Sequence, residues 1–198
     1  MPAKRTGIIA LGVAVGALLV VGLIGLAGSY SPPPPAASKL TLAQVRARLA
    51  GSPSPLAEIH AQAGELLDGG SSLVRGRLAA LRGHPVVINK WASWCEPCRA
   101  EFVAFQQASL AQGHSVAFLG LDSGDSTRAD ALAFLRSHPV GYPSYYDRSG
   151  QLGATVTYST FTPVTVFYDR RGSQFIHQGP YLSAAKLEQD VKRYALDA

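Results

Sequence analysis

The chain contains only two cysteines among its 198 residues, Cys95 and Cys98. Because they lie three positions apart, a disulfide between them would close a very short loop and remove little conformational entropy from the unfolded chain. Two cysteines are also too few for a zinc site built from four thiolates. The pair therefore points to thiol chemistry rather than to a structural cross-link.

The flanking sequence places Cys95 where a thiolate is stabilised and Cys98 within its reach. Residues 85–89 are apolar enough to predict a buried strand, and residues 95–110 predict the helix that follows it. The unpaired amide groups and the dipole at a helix N-terminus stabilise a thiolate at Cys95. Cys98, one turn later, is within reach to resolve a mixed disulfide. Pro97 lies early in the helix, where a missing N–H costs least.

The two other uses of such a pair are half of a zinc site and an inert disulfide. The histidines that would complete a metal site lack the paired spacing of a metal motif; they are His60, His84, His114, His138 and His177. We therefore expect no metal ion. A CxxC motif that follows an apolar strand is also far more specific than the motif alone, which favours a redox-active pair.

Strand and helix patterns alternate through the second half of the chain and end in a hairpin and a closing helix. The predicted strands are residues 85–89, 115–121, 142–146, 164–168 and 174–177. The predicted helices are residues 95–110, 126–137, 151–156 and 182–196. This order predicts an α/β fold with a mixed central β-sheet flanked by helices.

The N-terminal sequence predicts a membrane anchor. Lys4 and Arg5 precede residues 7–27, which are Gly, Ala, Val, Leu and Ile throughout. As a helix this stretch is roughly 30 Å long, about the thickness of a bilayer's hydrocarbon core. The positive flank favours a single-pass signal anchor over residues 1–30, with a cytoplasmic N-terminus and an extracytoplasmic remainder. Cleavage after Ala27, which would give a secreted form, is the alternative.

Three further segments follow the predicted anchor. Residues 31–38 contain four consecutive prolines and predict an extended linker. Residues 39–82 predict a helical N-terminal extension with one helix capped by Thr41, a second from Pro55 to Leu67 and a third over residues 72–81. Residues 83–198 then form the predicted catalytic domain.

Composition and charge exclude several classes of protein. Hydrophobic residues make up 47% of the chain and charged residues 16%, which excludes a disordered chain. The 18 basic and 13 acidic residues give a net charge of +5, but the positive charges are scattered rather than clustered. The sequence therefore predicts no nucleic-acid partner.

The segment Trp91-Ala-Ser-Trp-Cys-Glu-Pro-Cys98 and its flanks resemble the membrane-tethered thiol–disulfide oxidoreductases of the TlpA, ResA and CcmG group. The likeness continues through residues 120–123, 142–147 and 162–172 and covers roughly residues 83–194. It implies a thioredoxin-like fold. It also implies that the protein uses the redox-active Cys95–Cys98 disulfide and no further cofactor.

The resemblance assigns roles to several residues. Cys95 would be the exposed nucleophile and Cys98 the buried resolving thiol. Thr162 and Pro163 would form a cis-proline loop that faces the disulfide, where the residue before the proline offers backbone hydrogen bonds to an extended substrate chain. The residues expected to shield or tune the redox pair are Trp94, Glu96 and Pro97. For Trp94, plain core packing is the alternative.

Glu101 lies one helical turn after Cys98. The resemblance at that offset favours a partly buried carboxylate with a raised pKa that passes protons during thiol exchange. The alternative is a solvated glutamate on the helix surface. Thioredoxins carry a buried Asp at the position of Asn89, so Glu101 is the expected proton carrier here.

Two features depart from the resemblance. Lys90 stands where the group usually has an aromatic or apolar residue, so we expect the end of this strand to be more exposed. The N-terminal hairpin typical of the group is not visible in the sequence, and the predicted helical extension occupies its place. The second departure bears on partner specificity rather than on the redox pair.

The sequence as a whole predicts a membrane-anchored, extracytoplasmic thiol–disulfide oxidoreductase. Its expected partners are thiols and disulfides of exported proteins, with apocytochrome c as one candidate, and a membrane thiol protein that donates electrons. The alternatives are a disulfide-forming oxidant, a peroxiredoxin-like peroxide reductase and a non-catalytic tethered binding module. A reduction potential near about −270 mV favours the reductant, and one near about −120 mV favours the oxidant.

Overall fold

The computed structural model describes residues 40–68 and 70–198. The predicted anchor over residues 1–30 and the predicted linker over residues 31–38 lie outside these residues. Among the helices that are described, none is both long and apolar enough to cross a bilayer.

A six-stranded mixed sheet lies at the centre of the described chain, with spatial strand order β1-β4-β3-β2-β5-β6. In chain order the strands are β1 (Leu66–Asp68), β2 (Val86–Trp91), β3 (Ala117–Ser123), β4 (Ser144–Asp147), β5 (Val164–Tyr168) and β6 (Gln174–Gln178). Strands β1 to β4 pair in parallel, whereas β5 and β6 pair antiparallel to their neighbours. The predicted mixed sheet and its terminal hairpin are confirmed.

Helices follow the strands and cover the sheet. They are α1 (Leu42–Arg48), α2 (Leu56–Ala61), α3 (Ser71–Ala80), α4 (Glu96–Gln112), α5 (Arg128–Ser137), α6 (Gln151–Thr157) and α7 (Ala184–Val191), the last continuing as a π-helical turn over Lys192–Leu196. Helix α1 begins at a capping box in which Thr41 and Gln44 each satisfy an amide of the other. Helix α5 begins at Thr127, whose hydroxyl accepts from the Asp130 amide.

Strand β2 is the central strand that leads to the cysteines. All six of its residues are buried, including the polar Asn89 and Lys90, as is typical of a strand covered on both faces. It pairs in parallel with β3, which places Trp91 opposite Asp122, and antiparallel with β5, which places Lys90 opposite Val164. The residues after Trp91 therefore emerge at one edge of the sheet, beside the ends of β3 and the start of β5.

The predicted helix from Pro55 to Leu67 is wrong in its second half. Helix α2 ends at Ala61, and Gly64 adopts a positive φ of 73°, a backbone conformation that favours glycine. Residues 66–68 then form β1, because their backbone pairs in parallel with β4 at the edge of the sheet. A short apolar run such as Leu66-Leu67 suits either a helix or a strand, and the available sheet edge decides between them.

The region predicted as a helical N-terminal extension shares the core of the main domain. Leu56, Val74 and Leu81 are buried in the same hydrophobic cluster as Val87 and Phe105. The sheet also begins at residue 66. The predicted division at residue 83 therefore does not coincide with the edge of the folded unit.

Candidate active site

Cys95 and Cys98 form a disulfide at the N-terminus of α4, with their Cα atoms 5.2 Å apart. Cys95 is the N-cap residue, and its Sγ accepts a hydrogen bond from the Cys98 backbone N–H at 3.2 Å. This amide is one of those that a helix leaves unpaired, so it would also stabilise a thiolate at Cys95 after reduction. The predicted strand–cysteine–helix arrangement is thus present.

The burial of Cys98 agrees with the expectation, but that of Cys95 does not. Cys98 is fully buried, as predicted, but Cys95 is only 4% exposed. The expectation of an exposed nucleophile is therefore wrong for the disulfide form. The reason is local, because the residue before Pro163 covers one side of Cys95.

The loop before β5 faces the disulfide. The Thr162–Pro163 peptide bond is cis, and the Thr162 carbonyl oxygen lies 3.7 Å from Cys95 Sγ. Pro163 is buried and Thr162 is half-buried. The structure therefore brings the predicted loop and the predicted nucleophile together.

Lys90 is bonded to the segment that leads into this loop, and its burial differs from the expectation. The predicted exposure at the end of β2 is wrong, since Lys90 is only 1% exposed. Its Nζ donates a hydrogen bond of 2.8 Å to the Ser159 carbonyl oxygen. Burial lowers the pKa of Lys90, and the negative charge of Asp147 opposes that shift. A cation that crosses from β2 to residue 159 thus fixes the segment that enters the cis-proline loop.

Trp94 is not a core residue, because 65% of its surface is exposed. Its indole Nε1 donates to the Gly124 carbonyl oxygen at 3.2 Å. The neighbouring Ser93 donates to the Asp125 carboxylate through its backbone N–H at 2.9 Å and its hydroxyl at 2.7 Å. Three hydrogen bonds therefore tie the turn before Cys95 to the loop that follows β3, with the Trp94 ring left at the surface.

The other residues of the CxxC motif are those of a helix N-terminus. Glu96 is exposed and lies 3.6 Å from the Arg99 guanidinium, in an ion pair that water screens. Pro97 occupies the first turn of α4, where its lack of an N–H breaks no helical hydrogen bond. Within the part of the chain that the structure describes, neither side chain makes a further hydrogen bond or ion pair.

Glu101 is completely buried, so the alternative of a solvated surface glutamate is excluded by its position. Its Oε2 accepts a hydrogen bond from the Tyr181 backbone N–H at 3.1 Å, and its Oε1 has no partner among the described residues. The Asn89 side chain lies close enough to favour the carboxylate but not at full hydrogen-bonding geometry. Burial raises the pKa of Glu101 well above its ordinary value, and these two neighbours offset that effect only in part. The group therefore holds a proton at a pH where a solvated glutamate is ionised.

The sequence analysis missed a second buried carboxylate. Asp122 is buried at the end of β3, and burial together with the adjacent Asp125 and Asp147 carboxylates raises its pKa to about 9. The available signal was the position of Asp122 at the end of a buried strand, since neighbouring parallel strands end at the same edge of a sheet. The contacts of Asp125 with Ser93 had no signal in the sequence, because they join segments that meet only in the fold.

No group of three or more potential metal ligands occurs within residues 40–68 and 70–198. The chemistry that the described site supports is that of a disulfide at a helix N-terminus, with a buried carboxyl group one turn below it. Together with the mixed sheet and the cis-proline loop, this defines a thioredoxin-like domain with a redox-type cysteine pair.

Comparison with known proteins agrees with this class. A model of the AhpC/TSA family matches residues 65–173, which is more than half of the chain. The chain belongs to the AhpC/TSA family. That match begins at β1, in agreement with the structural finding that the folded unit extends before residue 83.

The curated relatives are named as thioredoxin-like and thiol:disulfide interchange proteins. The chain is 28% identical to the thioredoxin-like protein YneN of Bacillus subtilis over 120 residues, which cover 59% of this chain and 69% of YneN. It is 34% identical to the thiol:disulfide interchange protein DsbE of Escherichia coli over 116 residues, which cover 56% of this chain and 58% of DsbE. The matched part is therefore little more than half of DsbE.

Solved structures show the same fold. The structure of DsbF from MTB, in mixed oxidized and reduced forms, superposes with a TM-score of 0.54 and 26% identity, covering 58% of this chain and 84% of that chain. A DsbE from Chlorobium tepidum, described as a putative thiol:disulfide interchange protein, superposes with a TM-score of 0.54 and 26% identity over 59% of this chain and 84% of its own. The predicted thioredoxin-like fold is confirmed.

The raised pKa of Glu101 predicts a specific dependence of stability on pH. In the unfolded chain this carboxyl ionises near its ordinary pKa of 4.5, whereas burial keeps it protonated to higher pH in the folded chain. The wild type therefore loses stability as the pH rises from about 4.5 through the folded-state pKa. Glu101→Gln removes this loss. The unfolding free energy of the variant minus that of the wild type should therefore be at least about 1 kcal/mol larger at pH 8 than at pH 4.

Denaturant unfolding of the oxidised proteins at the two pH values measures this difference. The contribution of Asp122 is common to both proteins and cancels. The account of Glu101 is contradicted if the difference between variant and wild type is the same at pH 4 and pH 8.

Proposed function

We propose that this protein is an extracytoplasmic thiol–disulfide oxidoreductase that reduces disulfides in exported proteins. The observation that carries the proposal is the Cys95–Cys98 disulfide at the N-terminus of α4, with the Thr162 carbonyl oxygen 3.7 Å from Cys95 Sγ. The names of its relatives DsbE and ResA, the latter 32% identical over 79 residues, support the same chemistry.

The proposed cycle transfers two electrons from the dithiol to the substrate. In the reduced protein, the Cys95 thiolate attacks a substrate disulfide, which forms a mixed disulfide and releases one substrate thiol. The Cys98 thiolate then attacks Cys95 Sγ, which releases the second substrate thiol and re-forms the Cys95–Cys98 disulfide. A dithiol on a membrane protein reduces this disulfide again, because residues 1–198 contain no third cysteine for an internal relay.

Each feature around the disulfide has a role in this cycle. The Cys98 amide and the helix dipole stabilise the Cys95 thiolate. In its ionised form, Glu101 takes the proton of the Cys98 thiol before Cys98 attacks. Burial raises the pKa of this carboxyl towards that of a thiol, which favours the transfer. The loop at Thr162 and Pro163 binds an extended substrate segment through its backbone. Exposed Trp94 covers the entry to Cys95.

The cellular location and partners are part of the proposal. The apolar stretch at residues 7–27, preceded by Lys4 and Arg5, supports a single-pass anchor with the folded domain outside the cytoplasm. Exported proteins with disulfides are then the accessible substrates, and apocytochrome c is a candidate because a haem-attachment CxxCH pair must be reduced before it reacts.

Substitution of each cysteine tests the proposal. Cys95→Ser should lower the rate of exchange with a model protein disulfide to the uncatalysed level, because it removes the nucleophile. Cys98→Ser should accumulate a mixed disulfide through Cys95, because the resolving thiol is missing; mass spectrometry under non-reducing conditions detects it. Exchange at the wild-type rate by Cys95→Ser would falsify the proposal.

The role of Glu101 predicts a separate kinetic effect. Glu101→Gln should slow resolution of the mixed disulfide at least tenfold at neutral pH, since a general base typically contributes about 10²-fold or more. The matched control is Glu58→Gln, an exposed glutamate on α2 outside the CxxC motif, which should leave the rate within about twofold. Stopped-flow measurement of substrate thiol release separates the two variants. Equal rates in both would remove Glu101 from the mechanism.

A further inference from the structure

A cavity of about 570 Å³ lies far from the disulfide, between helix α3 and the turn that joins β5 to β6. Val86 at the start of β2 and Tyr168 at the end of β5 line it, and these two residues are direct partners in the sheet. The cysteine pair follows the other end of β2, five residues and about 16 Å further along the strand. The cavity and the proposed active site are therefore at opposite ends of the sheet.

The rim of this cavity is strongly cationic. Four exposed arginines line it, and they are Arg75, Arg82, Arg170 and Arg171. Among the described residues, the side chains of three of them make no hydrogen bond or ion pair, and the fourth, Arg170, donates only to the Gly83 carbonyl oxygen. In this part of the chain these guanidinium groups therefore lack an acidic partner.

One carboxylate lies among the arginines, but it is turned toward its own backbone. Asp169 is buried, and its Oδ1 accepts from the backbone N–H groups of Arg171 and Ser173 at 2.8 and 2.7 Å. Apart from the arginines and Asp169, two titratable side chains line the cavity, the half-buried His84 and Tyr168. The charge that the cavity presents to solvent is therefore positive.

The floor of the cavity is apolar. Leu78 and Ala79 on α3 supply its accessible apolar surface, and Leu81 and Val86 lie nearly fully buried beside them. A small hydrated anion makes no favourable contact with an apolar surface. An amphiphile, with an anionic head among the arginines and an apolar part against Leu78 and Ala79, satisfies both surfaces.

We propose that this cavity binds the headgroup of an anionic phospholipid and so docks the domain on the membrane to which it is anchored. The inference rests on the anchored location proposed above. Arginine is well suited to phosphate, because its planar guanidinium donates two parallel hydrogen bonds. The disulfide then faces away from the bilayer, toward soluble exported proteins.

The described chain begins away from the disulfide. Leu40, the first described residue, lines a surface cavity with Gln107 and Leu110, in the half of α4 that is remote from Cys95. Eight linker residues, 31–38, reach about 25 Å if extended. A linker of this length would keep the domain close to the membrane that holds the proposed anchor, which raises the effective concentration of headgroups around it.

Calorimetric titration of the full chain in neutral dodecyl maltoside micelles tests the proposal. The probes are dihexanoyl-phosphatidylglycerol, its neutral phosphatidylcholine counterpart and inorganic phosphate. The wild type should bind the anionic lipid at least tenfold more tightly than either other probe. Arg82→Glu with Arg171→Glu should weaken that binding at least tenfold, as expected for two cations near an anionic headgroup.

The matched control reverses the same number of charges elsewhere. Arg136 and Arg148 are exposed and lie outside this cavity, so Arg136→Glu with Arg148→Glu should retain wild-type affinity. If the first double variant fails to fold by circular dichroism, Arg82→Gln with Arg171→Gln replaces it, with a loss in the same direction.

Three results overturn the proposal. They are the absence of lipid binding, equal loss in both double variants, and phosphate binding as tight as that of the anionic lipid. Since the titration does not measure thiol exchange, each of these leaves the redox assignment intact.

Discussion

The pairing of β2 with β3 and β5 is the interaction on which the rest of the structure depends. Because β2 is hydrogen-bonded on both sides and buried along its whole length, its end is fixed in space. That end delivers Cys95 to the N-terminus of α4. The start of β5 delivers Thr162 and Pro163 to the same edge, so one set of strand pairings positions both the disulfide and the loop that faces it.

The same region contains several buried polar side chains. Lys90, Glu101 and Asp122 are each almost or completely buried, and an unsatisfied buried polar group costs about 1–3 kcal/mol. The hydrogen bond from Lys90 to Ser159 offsets part of this cost, but Glu101 Oε1 and both Asp122 carboxylate oxygens have no partner among the described residues. Such local conflicts concentrate at functional sites, and here they lie on β2, β3 and α4, the elements next to the disulfide in the fold.

The sequence contained enough to predict the redox pair, the central strands and the terminal hairpin, because those features are local patterns. Strand β1 was not predictable in this way, since three residues take their structure from the edge of β4. The burial of Lys90 depends on the Ser159 carbonyl oxygen, 69 residues away along the chain. Cys95 is likewise buried only because the Thr162 loop meets it in the fold. The same holds for the hydrogen bond from the Ser93 backbone N–H to Asp125.

The central claim is that the Cys95–Cys98 disulfide is a working redox couple and not a cross-link. Its equilibrium reduction potential, measured by thiol counting against a thiol redox buffer, tests this claim most directly. The account predicts one two-electron transition near about −270 mV, in the range of reducing thioredoxin-like proteins. A potential below about −300 mV, typical of structural disulfides, would contradict it.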